Sequence, residues 1–205
     1  MSYENLSSER LDVLREIGNI GAGNAATALS VLLHSRLDME IPVVKVLEFD
    51  DIAGMVGGAD TVVSAVLTRF SGEVNGMTLF ILEMEEAKNM VSVMLNRNYS
   101  DGFVEFDHMD KSALKEVGNI LMSSYISSIS TLTGLEVKTN PPEICVDMAG
   151  AVLSMPISVL GQVGDKALII DSKFFDDNRR IEGFILFVSD DASLDSMFEA
   201  LGIGC

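Results

Sequence analysis

The sequence predicts an α+β fold: an internally duplicated single domain with pseudo-two-fold symmetry, in which a largely antiparallel sheet is covered by two long helices. Three observations lead to this prediction. The chain repeats itself at a spacing of 100 residues, each copy opens with a long segment of helical periodicity, and several strand-like segments then follow one another across short turns. Short connections between adjacent strands favour antiparallel pairing, and helices must bury the apolar face of such a sheet.

The duplication is clearest in the two helical segments. Residues 12–20 read DVLREIGNI and residues 112–120 read SALKEVGNI, so that Leu, Glu, Gly, Asn and Ile recur in the same register. Pro42 and Pro142 match at the same spacing of 100 residues. Self-similarity at a fixed spacing indicates that one structural unit is used twice.

A second match between the copies lies further along the chain. Residues 76–81 (GMTLFI) resemble residues 183–188 (GFILFV). The spacing has grown to 107 residues there, so the second copy has gained residues between its helix and its last strand. We predict one domain over residues 1–205, made of two α/β repeats: residues 8–100 with a first site and residues 108–203 with a second.

Residues 8–34 are predicted to form the first long helix, and the second copy has its counterpart. A helix turns by about 100° per residue, which sorts each segment into two opposite stripes. Small residues on the inner stripe would let the helix lie close to a sheet or to another helix. In the first helix the inner stripe is Leu14, Gly18, Gly21, Ala25, Ala28 and Leu32, and the outer stripe is Asp12, Glu16, Asn19 and Gly23. In the second helix the inner stripe is Leu114, Val117, Leu121, Tyr125, Ser128 and Leu132, and the outer stripe is Ser112, Glu116, Asn119 and Ser123.

The remaining elements are predicted from apolar runs between turns. Because proline cannot continue a helix, Pro42 and Pro142 are each expected to start the extended segment that follows the long helix. Two shorter helices are predicted at residues 85–96 and 190–201. The predicted strands are residues 43–49, 61–70 and 77–83 in the first half, and residues 144–148, 152–159, 162–170 and 184–189 in the second half.

Charge and composition exclude several classes of protein. The 31 acidic and 14 basic residues give a net charge of −17, which argues against nucleic acid and against anionic lipid as partners. Cys145 and Cys205 are too few for a disulfide framework or a structural zinc site. The three longest uncharged stretches contain too many polar residues, glycines and prolines for membrane-spanning helices. Without a secretory signal at residues 1–5 we expect a cytoplasmic protein.

A pair of polar side chains on the outer stripe is the candidate site. Glu16 and Asn19 stand three residues apart, on one face of the predicted helix, and Glu116 and Asn119 repeat them. A single pair of this kind is typical of the wet face of an amphipathic helix. The same pair in two copies, where flanking residues have diverged, favours a function.

The repeated motif resembles that of the CheC/CheX/FliY family of response-regulator phosphatases. The shared pattern is Asp or Ser, then Glu four residues on, Asn three residues later, and Pro 23 residues after the Asn. The resemblance spans nearly the whole chain. The matching residues are Asp12, Glu16, Asn19 and Pro42 in the first copy, and Ser112, Glu116, Asn119 and Pro142 in the second.

The resemblance implies a hydrolase that removes the aspartyl phosphate of the chemotaxis regulator CheY. An acyl phosphate is already activated, so a catalyst mainly has to place a water in line with phosphorus. A neutral amide can both donate to and accept from that water. Asn19 and Asn119 would therefore orient the attacking water, and Glu16 and Glu116 would pair with the receiver's active-site lysine.

The family resemblance also implies supporting residues and partners. Asp12 and Ser112 would support or dock the helix, and Pro42 and Pro142 would shape the connection to the strand. No cofactor of the chain's own is expected, and the Mg²⁺ would belong to the phosphorylated partner, because no carboxylate cluster has metal-ligand spacing. The deamidase CheD is a second partner that the resemblance implies.

Alternative interpretations remain open at this point. The chain could be a non-catalytic module that binds a phosphorylated receiver, or a flagellar-switch adaptor. A nucleotide-binding loop would have to use residues 18–23 (GNIGAG), but no strand precedes them and the order differs from a dinucleotide-binding motif. Those glycines are better explained as helix-packing residues.

Overall fold

An antiparallel sheet lies between two layers of helices in the computed structural model of the chain, which describes residues 6–33, 38–99, 105–160, 166–175 and 180–203. The predicted α+β class is confirmed. The first half contains α1 (Ser8–Leu33), β1 (Asp38–Met39), β2 (Val43–Glu48), α2 (Phe49–Met55), β3 (Val62–Gly72), β4 (Gly76–Glu83) and α3 (Met84–Leu95). The second half contains α4 (His108–Thr133), β5 (Val137–Thr139), β6 (Glu143–Met148), α5 (Ala149–Leu160), β7 (Lys166–Phe175), β8 (Arg180–Ser189) and α6 (Asp191–Ala200).

The two halves exchange strands within one sheet. The central order is β7–β8–β4–β3, so that the hairpin of each half meets the other hairpin at the β4–β8 pair. The edge strands cross over: β1 and β2 of the first half pair with β7 of the second, and β5 and β6 of the second half pair with β3 of the first. Neither half therefore completes its own sheet.

Helices cover both faces of this sheet, and two apolar cores result. On one face α1 and α4 pack side by side against the strands, with Leu14, Leu114 and Phe80 among the buried residues. On the other face α2 and α5 cover the strands, with Ile52 and Val152 fully buried. Central strands that are covered twice read as continuous apolar runs rather than as alternating ones.

One predicted strand is wrong. Residues 152–159 lie in the helix α5 and not in a strand. Their apolar run is too continuous for periodicity to separate a strand from a buried helix. Helical spacing is visible in the burial, since Val152, Leu153 and Pro156 are buried while Ser154 and Ser158 are exposed.

The other predicted elements agree closely with the structure where it describes them. The strands β2 and β6 begin at the residue after Pro42 and Pro142, as expected. Residues 166–170 of the predicted strand at 162–170 belong to β7, and residues 162–165 lie outside the described residues, as does residue 34 of the first predicted helix. The helix α2 was not predicted, because seven residues are too short for a periodic signal. None of the helices over the described residues combines the length and apolar character needed to cross a membrane.

Glycines bring both long helices into close contact with the sheet. A Cβ atom on Gly18 would lie 2.9 Å from Val44 Cγ2, and one on Gly118 would lie 2.6 Å from Val66 Cγ1. Between the helices, a Cβ on Gly21 would lie 2.5 Å from the ring of Tyr125. Gly18 and Gly21 therefore pack, as their place on the inner stripe predicts, and Gly118, which the predicted stripe of the second helix did not include, packs in the same way.

Side-chain contacts join the first turn of α4 to the end of α3, and the first turn of α1 to the end of α6. In α4, Asp107 caps the helix and accepts from the Asp110 N–H at 2.9 Å, while the buried Asp110 accepts from Tyr99 Oη at 2.7 Å and pairs with Arg97. At the position equivalent to Asp110, α1 carries Arg10.

Arg10 makes the corresponding anchor at the start of α1 with the opposite charge. Its guanidinium lies 4.8 Å from the ring centroid of Phe198 and donates to the Ile203 carbonyl at 3.3 Å. Stacking of a guanidinium on an aromatic ring stabilises such a contact, the more so when it is desolvated. The end of α6 is thereby joined to α1, as the end of α3 is joined to α4.

The glycine contacts give a test of stability. Gly118→Ala should lower the free energy of unfolding by about 1–2 kcal/mol, because the strain of overpacking against the branched Val66 exceeds the helix propensity that alanine gains. Gly23→Ala is the matched control, since a Cβ there meets nothing within 4 Å, and it should raise stability by about 0.5–1 kcal/mol. Urea unfolding of both variants measures the difference. Equal shifts in the two variants would contradict the close contact.

The cap of α4 gives a test by pH. The Asp110 N–H, and then the Arg97 guanidinium, hold the pKa of Asp107 below its ordinary value of 3.8. A lowered pKa contributes stability that is present above 3.8 and is lost as the pH falls through the folded-state value. Asp107→Asn keeps a good cap without a titrating group. The unfolding free energies of the variant and the original chain should therefore converge in acid, and curves that stay parallel would contradict this.

Candidate functional site

The two candidate sites lie on the solvent-facing stripes of α1 and α4. Glu16, Asn19 and Glu116 are exposed, and Asn119 is half-buried. Within the part of the chain that the structure describes, none of these four side chains forms a hydrogen bond or an ion pair. The carboxylates and amides are therefore available to a group that comes from outside the chain.

The packing on the opposite side of each helix explains why these residues face outward. Gly18 and Gly118 immediately precede the two asparagines and lie where their helices contact the sheet too closely for a Cβ atom. Since each residue turns a helix by about 100°, the glutamates two residues before these glycines lie nearly opposite the tight face, and the asparagines lie on its flank. Each asparagine therefore projects from a rigid element rather than from a loop.

Pro42 lies close to the part of α1 that carries Asn19, and the two residues line one pocket. Pro42 is buried, and its Cγ atom would lie 3.9 Å from a Cβ on Gly18. It stands between β1 and β2, where a residue without a backbone N–H is tolerated because the ladder is interrupted. Pro142 holds the equivalent place before β6 and is half-buried.

The remaining motif positions are exposed. Asp12 forms an ion pair with Arg15 at 2.7 Å, with both side chains more than half exposed. Such a pair contributes little to stability. Ser112, its counterpart on α4, is also exposed. The structure thus brings each Asp or Ser, Glu and Asn to one helical face, at opposite edges of the sheet.

An open pocket adjoins Asn19, and the sequence did not reveal it. Its walls include the small residues Ala22 and Ala26 of α1 and the acidic residues Asp38 and Glu40 from the segment before β2, together with Pro42. The missing information was the short strand β1, which pairs with β7 of the other half and brings the acidic residues to the helix. A comparison of residues 38 and 40 with their counterparts, Lys138 and Asn140, would have marked the place as different in the two copies.

The geometry disfavours three alternative kinds of site. Residues 18–23 lie inside α1, so they form no strand-to-helix turn of the kind that cradles phosphate. Among the described residues, no group of three or more His, Cys, Asp or Glu side chains could hold a metal ion. Cys145 is half-buried, and burial raises the pKa of its thiol, which disfavours the reactive thiolate.

The exposed Glu and Asn side chains can act only together with a partner. A carboxylate accepts hydrogen bonds and attracts a cation, and a carboxamide can donate to one group while it accepts from another. Neither is a strong nucleophile by itself. The arrangement suits a surface that orients groups in the cleft of a second molecule.

Comparison with known proteins agrees with this geometry. The profile of the CheC-like family matches the chain twice, at residues 9–46 and 109–146. Each match starts in the first turn of a long helix and ends in the strand that follows the proline. Both matches thus cover one motif helix and its connection to the sheet.

One relative and two solved structures show the extent of the similarity. The CheY-P phosphatase CheC of Bacillus subtilis is 36% identical over 203 residues, which cover 98% of this chain and 97% of that protein. The crystal structure of Thermotoga maritima FliY superposes with a TM-score of 0.76 at 20% identity and covers 96% of this chain and 98% of that one. The CheX–CheY–BeF₃–Mg²⁺ complex of Borrelia burgdorferi gives a TM-score of 0.50 at 19% identity, with 83% of this chain and 96% of that one covered. The structural matches establish a shared fold, and the full-length identity shows that the chain belongs to the CheC-like family.

Proposed function

We propose that the chain is a phosphatase that hydrolyses the aspartyl phosphate of the chemotaxis response regulator CheY. The observation that carries this proposal is the pair of outward Glu–Asn faces, one on α1 and one on α4, whose side chains have no partners among the described residues. The Bacillus subtilis relative is named as a CheY-P phosphatase. The Borrelia burgdorferi structure contains CheX together with CheY, BeF₃ and Mg²⁺.

The chemistry asks little of the chain beyond orientation. Asn19 or Asn119 enters the receiver's cleft, where its amide holds a water in line with the bond between phosphorus and the aspartyl oxygen. The water oxygen forms a bond to phosphorus while the bond between phosphorus and the aspartyl oxygen breaks, and the aspartate leaves as a carboxylate. Inorganic phosphate carries the oxygen away, and the water's surplus proton passes to phosphate or solvent.

The acidic residue of each motif contributes binding rather than chemistry. Glu16 and Glu116 would each accept a charge-assisted hydrogen bond from the lysine of the receiver's active site. This contact would hold the helix against the cleft, so that the amide three residues along the same face reaches the water. The Mg²⁺ in this proposal belongs to the receiver, where it neutralises charge on the phosphoryl oxygens.

Several further parts of the proposal rest on the family resemblance. Asp12 and Ser112 would contribute to docking, and the prolines would fix the connection between helix and strand. CheD is a proposed second partner. We also propose a cytoplasmic location, in keeping with two cysteines in 205 residues.

The amide residues give the decisive test of the reaction. Asn19→Ala or Asn119→Ala alone should leave the activity of the other site, whereas the double variant should lose about 100-fold or more, because no group then positions the water. Release of inorganic phosphate from phosphorylated CheY measures the rate. Asn24→Ala removes another exposed amide of α1 and serves as the control. Full hydrolysis by a correctly folded double variant would exclude the mechanism, and binding without phosphate release by the original chain would favour the adaptor alternative.

The acidic residues give a separate test of binding. Glu16→Gln combined with Glu116→Gln should weaken binding to CheY that carries beryllofluoride and Mg²⁺ by about tenfold, as expected for the loss of one charged partner in an interface. Titration calorimetry measures the Kd, and Glu9→Gln, an exposed change in the first turn of α1, is the matched control. An unchanged Kd with slower turnover would instead place these carboxylates in the chemical step.

A further inference from the structure

The pocket beside Asn19 combines an apolar wall with a charged rim. Ala22 and Ala26 line it from α1, and Ile41, which is 82% exposed, lines it from the segment before β2. A Cβ on Gly23, another lining residue, would meet nothing within 4 Å, so this side is open space. The pocket has room for a side chain of a second molecule.

The rim of the pocket is acidic. Asp38 and Glu40 both line it. Glu40 faces the Lys173 ammonium at 3.9 Å, with about half of the Glu40 side chain exposed, and Asp38 has a contact of its own. Both residues are exposed, and only for Glu40 is the neighbouring group known to be a cation, so an incoming cation could still reach the two carboxylates from solvent.

The second site differs at the equivalent positions in both size and charge. Met122 and Ile126 replace Ala22 and Ala26 and are buried at 0% and 3% exposure, so larger side chains fill this part of the helix surface. Lys138 and Asn140 replace Asp38 and Glu40. Two carboxylates in the first copy thus correspond to one ammonium and one amide in the second.

The basic residues of the neighbouring strands do not account for this difference. The Lys173 carbonyl accepts from the Glu40 N–H, and the Arg69 carbonyl accepts from the Asn140 N–H, so a basic residue of the neighbouring strand holds the same place at both sites. In the second copy Lys138 pairs with Glu136 at 2.8 Å. The counterpart of Glu136 is Arg36, which lies outside the described residues.

We propose that this pocket is a specificity subsite of the first site, which takes a lysine or arginine side chain from the surface of the receiver, and that the second site lacks it. The inference rests on the proposed function. A long basic side chain fits because its aliphatic stem can lie along Ala22, Ala26 and Ile41 while its charged end reaches Asp38 and Glu40. The two sites of one chain would then select receivers by different surface charges.

The test uses proteins with one working site. Asn119→Ala leaves the first site, and Asn19→Ala leaves the second. Into each we introduce Asp38→Asn with Glu40→Gln, and separately Ala26→Ile, which fills the pocket with the residue of the second copy without a change in charge. The readouts are KM and kcat for phosphorylated CheY at low and high salt. A binding titration of CheY that carries beryllofluoride and Mg²⁺ to Glu116→Gln protein adds a readout that needs no hydrolysis.

We expect both pocket changes to raise the KM of the first site by about two- to fivefold at low salt, the size typical of an exposed charge pair, with kcat unchanged. Salt should reduce the effect of the carboxylate changes. The second site should keep its KM. Glu105→Gln with Glu199→Gln removes two exposed carboxylates that do not line the pocket and should leave KM unchanged.

Two results would overturn the subsite. One is a KM of the first site that neither pocket change affects, and the other is an equal rise at both sites, which would indicate the overall charge of the chain. Failure of the proposed function has a different signature, since the unaltered chain would then release no phosphate. In that case the binding titration alone tests the subsite. Weaker binding after the Asp38 and Glu40 substitutions would support it, and an unchanged Kd would contradict it.

Discussion

The near-contact of two helix backbones with the sheet is the constraint on which the other features depend. Gly18 against Val44 and Gly118 against Val66 leave no room for a side chain, and Gly21 does the same between the two helices. Because each asparagine follows one of these glycines in the chain, the tight side of the helix determines where the amide emerges. A functional group held in this way is positioned more accurately than one on a loop.

The two halves share a backbone frame but differ in the side chains around it. The start of α1 is anchored by Arg10 and the start of α4 by Asp110, at equivalent positions and with opposite charge. The segment before β2 and its counterpart before β6 show a similar reversal of charge, from Asp38 to Lys138. Duplication thus preserved the backbone path and the Glu–Asn pair, while the contacts around them diverged. Two surfaces with the same Glu–Asn pair and unlike surroundings are the result.

The repeat made most of the fold predictable. The long helices and the strands that start after Pro42 and Pro142 follow from residue pattern alone. The residue pattern predicts a strand where the helix α5 lies, because the apolar run of α5 has no clear local period. The Glu–Asn faces could be predicted, since they depend on spacing within one helix. The pocket could not, because β1 brings Asp38 to Asn19 only through pairing with a strand of the other half.

The strand exchange also governs the order in which the chain can acquire its structure. Val43 of β2 pairs with Asp171 of β7, so the first edge strand leaves the ribosome long before its partner is made. Until then its backbone groups stay unpaired, a condition that invites association with other nascent chains. The first site therefore cannot reach its final shape until β7 has emerged, whereas α4, β5 and β6 around the second site find their partner β3 already synthesised.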